Sequence, residues 1–239
     1  INDFILYTMN IVCLICARGN SKGLKNKNIL NFNGLPLIAR TINQAKDLKL
    51  FKNILVSSDS SKIIKISKKF GAEVFFKRPA KYANDNSSEF EVWRHALNYL
   101  QNNIINVDLL VCLPCTSPLR KNADVLKAIK LYKETRCDVV IGITESSRNP
   151  YFNMIKLNKL NNAEILIKYK KKIIRRQDAP QIFDITGNFF VISPKFVLNK
   201  KNKNYMDGSV KTIKINKLNS IDIDTKIDFE IAKLLDNKL

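Results

Sequence analysis

The sequence predicts an α/β fold: a mostly parallel central sheet with helices on both faces. Two observations carry this. Apolar runs of strand length recur without polar alternation, as strands buried on both sides require. Between them lie stretches of roughly ten to fifteen residues with helical apolar spacing. The composition agrees, since 45% of the 239 residues are hydrophobic, enough for a sizeable core.

Residues 10–16 form the first apolar run, and a loop at 17–28 follows. Leu37, Ile38, Ile42 and Ala45 give helical spacing over 35–47. Residues 52–57 read as a second strand. Ser58-Asp59-Ser60 caps a helix over 60–70, with Asp59 expected as an N-cap, Ile63, Ile64 and Ile66 facing inward, and Gly71 closing it. Glu73–Phe76 is a third strand. Ser87, followed by acidic residues, opens a helix to about Gln101. Residues 108–113 are a fourth strand, ended by Pro114; 122–134 a helix; 138–143 a fifth strand. From 147 to 182 the pattern breaks into short polar segments with a basic run, the mark of an insertion. Strands resume at 189–192 and 210–215, and a helix over 226–235 closes the chain. The expected organisation is one domain over 9–239, the insertion 147–182 within it, and an N-terminal arm at 1–8.

Several function classes lose support. No apolar run is long enough to span a bilayer. The first eight residues lack the basic start and apolar stretch of an export signal, so the cytoplasm is the expected compartment. Five cysteines, an odd number, argue against a disulfide framework. The pairs Cys13/Cys16 and Cys112/Cys115 sit at the ends of buried strands and read as small hydrophobes, not a zinc site. The net charge is +20. Its lysines are dispersed, with no aromatic-interleaved stripe and no nucleic-acid module. His95, the lone histidine, and Trp93 read as packing residues. Lys168–Lys172 is a solvated face or an anion site, and Asp85 orders a loop or makes an Asx turn.

Two segments carry chemistry. After the first strand, Gly19 and Gly23 allow close backbone approach to phosphates, and Arg18, Lys22 and Lys27 supply positive charge. The loop is neither a Walker P-loop nor a dinucleotide fingerprint. Near the other end, alternation along Ser220-Ile221-Asp222-Ile223-Asp224 puts Asp222 and Asp224 on one face of a strand. Two adjacent carboxylates suit a hard cation such as Mg²⁺ that also meets phosphate oxygens.

These fragments occur in order with others: Ala17-Arg-Gly-Asn-Ser-Lys-Gly23 with Lys27-Asn28, Val56-Ser-Ser-Asp-Ser60, Arg78-Pro-Ala80, Thr116-Ser-Pro-Leu-Arg120, Arg176-Gln177 and Ile221-Asp-Ile-Asp-Thr225. Together they resemble the acylneuraminate cytidylyltransferases over residues 10–235. The resemblance implies a Rossmann-like nucleotidyltransferase fold, a homodimer and a Mg²⁺ requirement, with no nucleic-acid or membrane partner. The implied reaction joins CMP from CTP to a nine-carbon 2-keto sugar acid and releases pyrophosphate. By position, Arg18, Gly19, Ser21, Lys22 and Lys27 resemble triphosphate contacts, and Asn28, Arg78, Ser87 and Ser88 resemble nucleotide contacts. Asp222 and Asp224 resemble the metal ligands, and with Arg18 and Lys22 the catalytic set. Arg176, Gln177, Phe190 and Thr116 resemble the sugar site, and the insertion resembles the element that two subunits exchange.

Pro114 replaces a sugar-facing Gln of that family, and Thr186-Gly187-Asn188 replaces Asn-Gly-Ala. Both differences point away from plain N-acetylneuraminic acid, and Arg148-Asn-Pro-Tyr-Phe152 and Arg175-Arg-Gln-Asp-Ala-Pro180 resemble enzymes for its bacterial analogues; the expected acceptor is an N-acylneuraminate, legionaminate or pseudaminate. A Kdo cytidylyltransferase is the alternative within the class. A basic polyanion-binding protein on a degenerate enzyme fold is the alternative outside it.

Overall fold

The computed structural model describes residues 9–21, 23–84, 86–103 and 105–237. Its centre is a six-stranded sheet in the order β10-β6-β9-β5-β1-β4. The strands are β1 (Ile11–Cys16), β4 (Asn53–Ser57), β5 (Leu109–Cys112), β6 (Val139–Glu145), β9 (Phe183–Ile192) and β10 (Val210–Lys214). β1 runs parallel to β4 and β5, and β10 parallel to β6, while β9 runs antiparallel between β5 and β6. Two-stranded ribbons add β2 (Asn31–Phe32) with β3 (Leu35–Pro36), and β7 (Ile155–Leu157) with β8 (Ala163–Ile165). The helices are α1 (Leu37–Asp47), α2 (Ser61–Lys69), α3 (Glu89–Asn102), α4 (Asn122–Thr135), α5 (Pro194–Leu198) and α6 (Lys226–Asp236).

Both faces of the sheet are covered, which explains the unalternated apolar runs. Ile11, Cys13 and Ile15 of β1 join a core with Leu37 and Ile42 of α1, Ile63 of α2, Val125 of α4 and Phe229 of α6. Val12 and Leu14 point the other way, onto Phe90, Trp93 and Leu97 of α3 and Phe196 of α5. Trp93 is fully buried, as expected, and its ring lies 5.0 Å from that of Phe190. Truncating such a side chain to alanine costs about 3–5 kcal/mol.

Five local expectations need correction. Glu73–Phe76 is no strand; only a single bridge joins Glu73 to Leu55. Residues 35–36 pair with β2 instead of starting α1. Ser60, not Asp59, caps α2 by accepting from Ile63 N–H, and Ser88, not Ser87, caps α3 by accepting from Glu91 N–H. Residues 220–224 are not a strand either: a 3-10 turn at Lys217–Ser220 leads into irregular extended chain.

One irregularity positions the site. Ile141 pairs with Phe190 but Ile143 with Ile185, so β9 carries extra residues across from Gly142. Such bulges re-aim side chains beside functional sites. Here the bulge brings Gly187 against Asp222.

Candidate active site

A cleft of about 890 Å³ opens at the carboxyl ends of β1 and β5. Open α/β sheets bind ligands there. Arg18, Ser21, Gly23, Lys27 and Asn28 line it from the loop after β1, and Asp222 and Asp224 from the segment before α6. The cationic loop and the twin carboxylates therefore face one shared space. Lys27 Nζ donates to Ile223 O at 2.5 Å and to Asp224 Oδ1 at 3.0 Å. Ile223 is fully buried, while Asp222 and Asp224 are exposed on either side of it. Alternation thus survives without a ladder, because Ile223 N–H is anchored on Thr116 O at 2.8 Å.

Close approach explains two glycines. A Cβ on Gly23 would collide with the carbonyl oxygen of Asp224, and one on Gly187 would lie 2.9 Å from Asp222 Oδ2. Gly187 thus leaves space beside an oxygen-only donor set, which suits a hard divalent cation. Among the described residues no group of three His, Cys, Asp or Glu is disposed to hold a metal. An ion here would rest on the two aspartates, with further ligands from a nucleotide and water.

The supporting contacts are local. Gly19 lies behind the loop, its N–H on Asp59 Oδ1 at 2.9 Å. Asp59 therefore braces the loop instead of capping α2. Asn28 Nδ2 donates to Arg18 O at 3.0 Å. Arg78 is buried, with Nε on Ser57 Oγ at 3.0 Å and Nη2 on Ser57 O at 2.5 Å. Ser87 lines the cleft and donates to Lys81 O at 2.8 Å, whereas Ser88 serves as the cap behind it. Lys22 and Asp85 lie outside the described residues.

At the far end stand Thr116, Phe190, Tyr205 and Glu89. The Phe190 and Tyr205 rings are 5.1 Å apart. Glu89 opens α3 and is open to the cleft, yet protein crowds it. Burial pushes its carboxyl up to about 7; the Arg78 charge opposes the rise, Asp222 adds to it and the Trp93 indole opposes it. Water in the open cleft tempers the effect. Beneath the floor, the buried Arg120 guanidinium donates to Asn188 O, Pro114 O and Gln44 Oε1, tying β9, the end of β5 and α1 together. Burial pulls its pKa down to about 10, against the charges of Cys115, Cys13 and Asp222.

Two sequence-based sugar contacts lie elsewhere. Arg176 and Gln177 line a separate cavity of about 360 Å³ with Arg148, and Arg176 Nη2 donates to Ser146 O at 2.8 Å. A single chain does not bring them into the cleft of the aspartates, since they line a different cavity. Sequence reading missed Glu89, Tyr205 and Arg120. Glu89 resembles any first-turn acid, and Tyr205 sits in a 3-10 turn with no periodicity. Arg120 stood in a quoted motif without a role.

The cysteines behave as small hydrophobes. Cys13, Cys112, Cys115 and Cys137 are buried and unbridged, and burial pushes the Cys16 thiol up to about 12. His95 packs its ring on Phe76 and Tyr82, and burial lowers its pKa with help from Lys81 and Arg78. Lys168–Lys172 is exposed and lies outside the cleft.

A fold with a cleft at the strand ends, lined by cations and paired carboxylates, defines a nucleotide-handling class. The cytidylyltransferase family model matches residues 12–237, and the chain belongs to that family. Among its relatives, post-translational flagellin modification protein B of Campylobacter coli is 36% identical over 229 residues, covering 94% of each chain. The CMP-N,N'-diacetyllegionaminic acid synthase of Campylobacter jejuni is 35% identical over 226 residues, again covering 94% of each. A CMP:2-keto-3-deoxy-manno-octonic acid synthetase complexed with CTP superposes with a TM-score of 0.71 at 16% identity, covering 96% of this chain and 99% of that one. That likeness establishes the nucleotidyltransferase fold. No helix among the described residues is long and apolar enough to cross a membrane.

Proposed function

We propose that this chain transfers CMP from CTP to the anomeric hydroxyl of an N-acylated nine-carbon 2-keto sugar acid, of the legionaminic or pseudaminic type, and releases pyrophosphate. The observation that carries this reading is the Lys27–Asp224 pairing across the cleft, which sets a phosphate-binding loop against two carboxylates. The likeness to the CMP-N,N'-diacetyllegionaminic acid synthase supports the substrate class.

In the proposed reaction the anomeric hydroxyl oxygen attacks the α-phosphorus of CTP, and its proton is released to water. The bond from that phosphorus to the bridging oxygen breaks, and the electron pair leaves with pyrophosphate. Arg18 and Lys27 hold the triphosphate and offset the charge that grows on its oxygens. Lys22 adds to this set by its place in the sequence. Asn28, Arg78 and Ser87 fix the nucleoside end, with Gly19 and Ser88 supporting from behind. Asp222 and Asp224 would hold Mg²⁺, which when bound neutralises phosphate charge and orients the leaving group. Thr116 and Phe190 face the sugar.

The proposal extends to a homodimer. The insertion exposes Ile155, Leu157, Leu160 and Ile174, an apolar display that suits burial against a second copy. The same element carries Arg176 and Gln177 outside the chain's own cleft, where they would reach the sugar end of a second copy's cleft.

A pyrophosphate-release assay tests the activity, with CTP, Mg²⁺ and a panel of N,N'-diacetyllegionaminic, pseudaminic, N-acetylneuraminic and 2-keto-3-deoxy-manno-octonic acids. Turnover of a nine-carbon N-acyl acid is expected. Turnover of the eight-carbon acid alone refutes the substrate class, and no turnover with strongly salt-dependent RNA binding refutes the enzyme.

A further inference from the structure

Resting on the proposed transfer, we infer that Glu89 is a specificity-determining residue that accepts a hydrogen bond from the N–H of an acylamino substituent on the sugar acid, while Phe190 and Tyr205 beside it receive the acyl group. Glu89 is the cleft carboxylate that the phosphate and metal chemistry leaves unused. It projects from the first turn of α3 into the main cleft, together with Val92, Phe190 and Tyr205. It forms no ion pair with any described lysine or arginine. Arg78, whose charge acts on it most, directs two of its N–H groups to Ser57.

The surroundings choose the ligand chemistry. Behind Glu89 stands an aromatic cluster, with the Trp93 ring 5.0 Å from Phe190 and 6.4 Å from Tyr205. The fully buried Trp93 Nε1 has no partner of good hydrogen-bond geometry, yet its indole stabilises the Glu89 anion. The carboxyl acceptor therefore stands against an apolar wall. An acylamino group presents a donor N–H and an apolar methyl a few ångströms apart, and an anionic acceptor beside aromatic faces matches both. A hydroxyl supplies the donor but leaves the wall unfilled. The other candidate donor is the cytosine amino group. Phe190 and Tyr205, which share the cleft with Glu89, favour the acylamino group, and a rise in the KM of CTP would mark the cytosine instead. A role as third metal ligand is disfavoured because Glu89, Asp222 and Asp224 do not form a metal-binding group.

The test is steady-state kinetics on the full chain and its E89A and E89Q variants, with CTP, Mg²⁺ and the N-acylated acid that the unaltered chain uses best. A second substrate, 2-keto-3-deoxynononic acid, carries hydroxyls in place of every acylamino group. Losing a charge-assisted hydrogen bond should raise the KM of the N-acyl acid about ten- to hundredfold in E89A and less in E89Q, with the KM of CTP within about threefold. The hydroxyl acid should lose far less in E89A than the N-acyl acid. An unchanged KM for the N-acyl acid, an equal loss for both acids, or a rise in the KM of CTP instead overturns the inference while leaving the proposed transfer intact. If the unaltered chain turns over no N-acyl acid, both fall. E89Q keeps the side-chain volume, so a melting temperature equal to that of the unaltered chain separates lost recognition from lost fold.

Discussion

Replacing Gly23 by alanine adds one methyl group at the closest approach between the two walls of the cleft. The effect is steric. The new Cβ would overlap the carbonyl oxygen of Asp224 and lie 3.4 Å from its carbonyl carbon. That carbonyl has little freedom to retreat. Ile223 N–H is fixed to Thr116 O at 2.8 Å, and the Thr225–Asp228 capping box starts α6 directly behind it. The loop must therefore give way by about 1 Å and carry Lys27 off the aspartates, a misplacement that costs roughly a hundredfold in rate. That corresponds to about 2.7 kcal/mol of transition-state stabilisation. Pyrophosphate release with saturating CTP and sugar acid measures kcat, and scanning fluorimetry measures stability. The expected result is a kcat about a hundredfold lower in Gly23→Ala with only a small change in melting temperature. A rate equal to that of the unaltered chain would refute the facing of loop and aspartates on which the proposed chemistry stands.

Other outcomes follow from the same geometry. Asp224→Ala should remove turnover while keeping the circular dichroism spectrum; a normal rate would refute the metal assignment. Gly187→Ala crowds Asp222 Oδ2 and should raise the Mg²⁺ concentration needed for half-maximal rate, and an unchanged Mg²⁺ titration would dismiss that role of the glycine. If two copies complete each other's sites, inactive Arg176→Ala and inactive Asp224→Ala chains, unfolded and refolded together, should recover roughly a quarter of the activity, since half the dimers are mixed and each holds one intact site. No recovery would place Arg176 outside the partner's cleft. The raised thiol pKa of Cys16 leaves little thiolate at pH 8, so iodoacetamide should label it far more slowly than free cysteine, by a factor of about a thousand. Rapid labelling followed by mass spectrometry would contradict the raised pKa.

The layering was legible because strands covered on both faces must be apolar throughout, as Ile11–Ile15 are. The two ends of the cleft were legible too, because Gly19, Gly23 and the Asp222–Asp224 pair combine residue types that a plain solvated loop does not need. Legibility failed where a side chain's role depends on distant chain. Asp59 looks like a helix cap until Gly19 is seen resting on it. Arg120 cannot be interpreted without its acceptors at positions 44, 114 and 188. Glu73–Phe76 has strand composition but little partner strand to pair with. The antiparallel sense of β9 was equally hidden, since apolar pattern sets burial and not direction.

The segments after β1 and β4 supply one wall of the cleft, and α3, β9 and the Tyr205 turn supply the other. Mutational drift can therefore rewrite which acceptor sugar is chosen without disturbing how the activated donor is gripped. A lineage built on this scaffold can change its acceptor by exchanging a few side chains on one bank while the energy-supplying half of the reaction is inherited intact.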